Sequence, residues 1–154
     1  MKKILSLLLS VCLTFGLTSC GEYASAYSLL DAFSSAYGAE GTLYHTGASE
    51  GQIGYMDEAF YEKLYARRSD PECDFAVFLT HSAAEPEECA LFIAKDDTSR
   101  LQARDTAVAR VDFLRDMGYG EEAVVIVRGD AVFYSTLRDG ARAERIWRDI
   151  RLTL

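Results

Sequence analysis

Between Asp74 and Leu154 one arrangement occurs twice: two short, apolar, β-rich runs separated by a turn, followed by a helical stretch. Asp74 to His81 and Cys89 to Lys95 flank a Glu/Pro turn, and a helix is predicted from about Thr98 to Met117, with Gly118 as its stop. Ala123 to Arg128 and Ala131 to Leu137 then flank Gly129-Asp130, a dipeptide suited to a two-residue hairpin turn. Asp139 is placed to cap a last helix, on which Ala143, Ile146, Trp147, Ile150 and Leu154 recur at helical spacing. Hairpins make antiparallel sheets, so the expected fold class is α+β: an antiparallel sheet built from two β-hairpin-helix (ββα-ββα) units, with the helices in a second layer.

The inward stripe of the Thr98 helix should be Leu101, Ala107, Val108, Val111 and Leu114, with arginines and aspartates outside. With the first hairpin centred near Glu85, Cys73 falls opposite Asp97 and His81 opposite Cys89. The two cysteines are then about eight residues apart along the strands, roughly 27 Å, too far for a disulfide.

Upstream, Tyr23, Tyr27, Leu30, Phe33 and Tyr37 fall at helical spacing between Glu22 and Tyr37, which predicts an amphipathic helix that either packs on the domain or lies near the lipid headgroups. Gly38 to Tyr55 carries five glycines and reads as loop, with a short extended piece at Thr42 to Thr46. Asp57 is a good N-cap for a second helix reaching about Arg67. Met56 and Tyr61 are spaced as a hydrophobic staple, and Ser69-Asp70-Pro71 is the stop.

The chain begins with Lys2 and Lys3, then an apolar stretch from Ile4 to Phe15 that is too short to span a bilayer, then Leu17-Thr18-Ser19-Cys20. This pattern resembles the signal peptide and lipobox of bacterial lipoproteins. The resemblance implies that residues 1–19 are removed and that Cys20 carries a covalent diacylglyceryl lipid. Two acyl chains, at about 0.8 kcal/mol per buried CH₂, hold a protein stably on a membrane. The expected location is therefore the extracytoplasmic face of the cell membrane. Gly21 is not the aspartate that marks inner-membrane retention, so in a host with an outer membrane that membrane is implied. Residues 20–56 form a lipidated N-terminus, amphipathic helix and Gly-rich loop, and residues 57–154 the ββα-ββα part with its preceding helix. Together they have the length of one domain.

Removing the leader takes away two of the 16 basic residues and none of the 24 acidic ones, which moves the net charge from −8 to −10. A nucleic-acid partner is excluded, because phosphate binding needs a basic face. The acidity is concentrated in residues 20–99, whereas residues 100–154 are nearly neutral and rich in arginine.

The run Glu87-Glu88-Cys89-Ala90-Leu91-Phe92-Ile93-Ala94-Lys95-Asp96, the helix after it, and Ala123 to Phe133 around Gly129-Asp130 together resemble a domain-of-unknown-function family of small clostridial lipoproteins. The likeness covers roughly residues 55–150. It implies the fold and the membrane location, and no activity, ligand or catalytic residue.

Five local patterns remain. Gly47-Ala48-Ser49-Glu50-Gly51 matches G-x-S-x-G, but it lacks the strand-turn-helix setting of a hydrolase nucleophile and reads as glycine-rich loop. Arg128-Gly129-Asp130 is the integrin tripeptide, and the turn alone explains its Gly-Asp. His81 with Cys89 is too few ligands for zinc, and Glu85, Glu87 and Glu88 would raise a thiol pKa, so both read as core. Arg142, Arg145, Arg148 and Arg151 line the polar side of the last helix, as a solvated face does. Asp70, Glu72 and Asp74 alternate in an extended chain and would converge with Asp96 and Asp97, a candidate weak Ca²⁺ site without an EF-hand loop. No catalytic set is legible and no cofactor is expected beyond the lipid on Cys20. The expected role is a non-catalytic module that binds an envelope protein or small ligand; the alternative is an envelope enzyme whose site is not readable from sequence.

Overall fold

A computed structural model describes residues 24–65, 73–82 and 86–152. The element order is α1 (Ala26–Tyr37), β1 (Gly41–His45), α2 (Glu58–Tyr65), β2 (Cys73–Thr80), β3 (Glu88–Ala94), α3 (Asp97–Asp116), β4 (Val124–Arg128), β5 (Ala131–Ser135) and α4 (Gly140–Asp149). The strands form one antiparallel sheet in the order β1-β2-β3-β5-β4. The fold is thus α+β.

Side chains alternate between the two faces of this sheet, and both faces are covered. Ala76, Phe78, Cys89, Leu91, Ala131 and Phe133 meet Leu30 and Phe33 of α1 and Trp147 of α4. Phe75, Val77, Ala90, Phe92, Val132 and Tyr134 meet Tyr61 and Tyr65 of α2 and Ala103, Ala107 and Val111 of α3. The expected two layers are therefore three, with the sheet between helices. The composition of the strands explains it: the central runs are apolar at every position, as strands buried on both sides are.

Capping fixes where the helices begin. Ser25 accepts from the Ser28 N–H at the start of α1, Asp57 Oδ1 from the Phe60 N–H before α2, and Asp139 from the Arg142 N–H at α4. Asp96 and Ser99 form a capping box at α3. Helix α4 stops at Asp149, so Ile150 continues as extended chain packed against the core, and Leu154 lies outside the described residues.

Two placements differ from expectation. In the first hairpin Phe78 pairs with Cys89 and Cys73 with Ala94, a three-residue slip that takes His81 away from Cys89. The Phe75 and Phe92 rings, 4.5 Å apart on one face, favour this register. Thr80 closes the loop by bonding the Glu87 carbonyl through both its N–H and its hydroxyl. Cys73 and Cys89 are not joined in a disulfide. The second difference is in α3, where Leu101 (53% exposed) and Val108 (40%) face outward, while Ala103, Thr106, Ala107, Val111 and Leu114 face the sheet.

Trp147 is fully buried and stacks on Phe133 at 4.5 Å, with the Arg128 guanidinium 5.1 Å from its ring on another side. Trp147→Ala should cost about 3–5 kcal/mol and lower the urea midpoint accordingly. A midpoint equal to that of wild type would show that α4 contributes no packing.

Candidate functional site

Cys20, the expected lipidation site, lies outside the described residues. The folded chain is already fixed by Ala24, whose N–H donates to the Leu152 carbonyl at 3.0 Å. The Ala26 N–H donates to Asp74 Oδ2 at 2.8 Å, so a strand carboxylate sits at the N-terminus of α1, where the helix dipole favours it. Among the described residues no helix is long and apolar enough to cross a membrane.

This use of Asp74 separates it from the other Ca²⁺ candidates. Asp96 caps α3, Asp97 pairs with Arg100 at 2.8 Å, and Asp70 and Glu72 lie outside the described residues. Among the described residues no three His, Cys, Asp or Glu side chains are grouped to hold a metal ion.

The most concentrated chemistry lies at Glu88, at the start of β3. Its main chain is locked to Thr136: the Glu88 N–H donates to Thr136 Oγ1 at 2.9 Å and the Thr136 N–H to the Glu88 carbonyl at 2.8 Å. Its carboxylate points beneath α3, where Arg110 Nε donates to Oε1 at 2.8 Å and the terminal guanidinium nitrogen to Oε2 at 2.6 Å. Another guanidinium nitrogen donates to the Leu64 carbonyl at 2.8 Å, which ties in the last turn of α2. Tyr134 donates to Oε1 at 2.6 Å; its own oxygen lies 2.8 Å from the Tyr65 hydroxyl, which must then be the donor of that pair. The two charged side chains are only 5% and 14% exposed.

Burial opposes the Arg110 charge, but the Glu88 carboxylate outweighs it and holds the guanidinium protonated beyond its ordinary value. For Tyr65 and Tyr134, burial first and the Glu88 charge second push the phenol pKa well up. The same two causes raise the Cys89 thiol, as its acidic neighbourhood predicts. Tyr65, Tyr134 and Cys89 are thereby held in their protonated forms. A shallow recess of about 250 Å³ beside it is walled by Leu64, Tyr65, Arg110 and Phe113.

A larger groove, about 450 Å³, opens at the end of the sheet where β3 begins and β5 ends, lined by Glu87, Tyr119, Glu121, Glu122, Thr136 and Arg138 among others. Arg138 Nε donates to Glu87 at 3.0 Å, and partial burial raises the Glu87 pKa in spite of that bond. Glu122 accepts the Gly140 N–H at 3.2 Å; a Cβ at position 140 would come within 1.9 Å of the Glu122 carbonyl, so only glycine fits there.

The remaining sequence patterns fall apart as sites. Ser49 sits in the turn after β1, where its N–H donates to the Gln52 side chain at 2.7 Å. His81 Nε2 lies 3.0 Å from the Thr42 hydroxyl on the sheet edge, exposed to solvent. The Arg128 side chain folds inward to donate to the Arg148 and Ile150 carbonyls at 3.0 and 2.7 Å, capping the end of α4, so the tripeptide is not displayed. Arg142, Arg145, Arg148 and Arg151 are exposed; Arg142 lies 4.9 Å from the Tyr37 ring and Arg148 is bonded to Glu144.

The sequence signal that could have found the buried cluster is Glu88 itself, a carboxylate immediately before an apolar run and facing a helix with arginine at one inward position. No family model, curated protein or solved structure matches the chain.

The folded chain retains the Tyr65 and Tyr134 protons above the ordinary tyrosine value of 10.0, whereas the unfolded chain releases them near it. Stability from these groups is therefore intact below about pH 10 and falls as pH rises beyond it. In an alkaline titration followed by phenolate absorbance, at least two of the nine tyrosines should ionise only as the chain unfolds. Smooth ionisation of all nine in the folded protein would contradict the cluster.

Proposed function

We propose that this chain is an extracytoplasmic lipoprotein, held on the cell membrane by a diacylglyceryl lipid on Cys20, whose domain of two β-hairpin-helix units binds an envelope protein or small ligand without converting it. The observation that carries this reading is Leu17-Thr18-Ser19-Cys20 directly behind a lysine-led apolar leader.

Binding rather than catalysis is supported by how the reactive groups are engaged. The Glu88 carboxylate is engaged by Arg110 and Tyr134, Glu87 is paired with Arg138, Ser49 lies in an exposed turn, and His81, which borders the Glu87–Arg138 surface, is engaged with the Thr42 hydroxyl. The groove around Glu87 and Arg138 is the natural ligand surface. It lies at the end of the sheet away from Ala24, and so would face outward from an anchored chain. The acidic surface disfavours nucleic acid as the ligand.

Cys20→Ala should abolish both membrane retention and labelling by a palmitate analogue, because the sulfur is the attachment point for the acyl chains. Labelling of the variant equal to that of wild type would overturn the lipoprotein reading.

A further inference from the structure

Ile53 is 95% exposed, the most exposed of the large apolar side chains described. It stands in the loop from Thr46 to Met56, eleven residues with a single charge, Glu50, in a chain that is otherwise strongly acidic. Tyr55 (37% exposed) and Tyr27 (42%) are further exposed aromatics, both linked to this loop through His45. The Tyr27 ring is 4.4 Å from that of His45, the His45 N–H donates to the Gly54 carbonyl at 3.0 Å, and His45 is bridged to Tyr55.

This patch is held at the point where the chain leaves toward Cys20. Thr46, the root of the loop, exchanges backbone and side-chain bonds with Phe75, next to the Asp74 carboxylate that receives the Ala26 N–H. Three residues separate Ala24 from Cys20, and four fully extended residue steps span at most about 14 Å. A sulfur whose acyl chains lie in the bilayer therefore draws this end of the domain into the headgroup layer. There an exposed isoleucine leaves water, and tyrosines take the position they favour at membrane interfaces.

We propose that Tyr27, Ile53 and Tyr55 form the face by which the domain rests on the lipid surface, an inference that depends on the lipidation of Cys20. Docking through this face fixes the orientation of the domain: α3 runs away from the membrane toward Met117, and the groove at Glu87 and Arg138 opens to the exterior.

The test uses the full lipidated protein, purified from membranes and reconstituted into vesicles of phosphatidylcholine and phosphatidylglycerol in equal parts. Ile53→Trp places an indole on the proposed face, and Met117→Trp places one at the far end of α3, where Met117 is 60% exposed. The emission of the buried Trp147 is subtracted using the parent chain. The Ile53→Trp emission should shift to shorter wavelength in vesicles and be quenched by brominated lipid, while that of Met117→Trp should do neither. A chain that floats with the vesicles but whose Ile53→Trp emission stays as in water overturns the docking and leaves anchoring intact. A chain that does not float overturns the anchoring reading and the docking with it. A blue shift that appears without lipid and grows with protein concentration assigns the face to a second copy of the chain, which also overturns the proposal.

Discussion

The ion pair between Glu88 and Arg110 is the interaction around which this domain is arranged. It joins the first residue of β3 to the middle of α3. Through Tyr134 it reaches β5, and through Leu64 and Tyr65 the end of α2. Moving two charges out of water is costly, and the cost is offset only where geometry is good and the remaining valences are filled. Here the guanidinium fork meets the carboxylate with two nitrogens, and a phenol supplies a further donor. Such a pair adds little net stability over apolar side chains of the same size, but it penalises every arrangement that leaves one partner buried alone. Its effect is to select one packing of α3 among several that an apolar stripe alone would allow.

That selection explains the clearest departure from the sequence-based expectation. The stripe Leu101, Ala107, Val108, Val111 and Leu114 follows from apolarity. Turning Arg110 toward Glu88 rotates the helix by roughly 80°, at 100° per residue, and brings Ala103 and Thr106 to the sheet in place of Leu101 and Val108. Small side chains then sit where helix and sheet approach most closely. The hairpins, the capping aspartates at positions 57 and 139 and the burial of Trp147 were legible because each is a local pattern with one physical cause, whereas Asp96, which caps α3, reads in the sequence as a Ca²⁺ candidate. The third layer was recoverable from the continuous apolar runs of β2, β3 and β5, which mean burial on both faces. The hairpin register was not, because its turn carries no two-residue signal and long-range ring contacts such as Phe75 with Phe92 decide it. The Glu88 cluster was hidden for the same reason: its members span positions 65 to 134, and only the fold brings them together.

The two ends of the sheet differ in chemistry. One end gathers the start of α1, the low-charge loop with Ile53 and the segment at Leu152 that pairs with Ala24. The other gathers Glu87, Glu121, Glu122 and Arg138 around an open groove. In the proposed orientation the first end meets lipid and the second meets whatever the domain binds. The buried cluster lies at the groove end, where the Glu88 main chain is locked to Thr136 of the groove wall.

A double-mutant cycle on Glu88→Gln and Arg110→Met tests the central role of the ion pair most directly. Each single substitution should cost about 3–5 kcal/mol in urea unfolding, because it strands a buried charge or its partners. The double substitution should cost little more than either alone, giving a large coupling energy. Two small costs that simply add would contradict the account, since α3 would then hold its place without the pair.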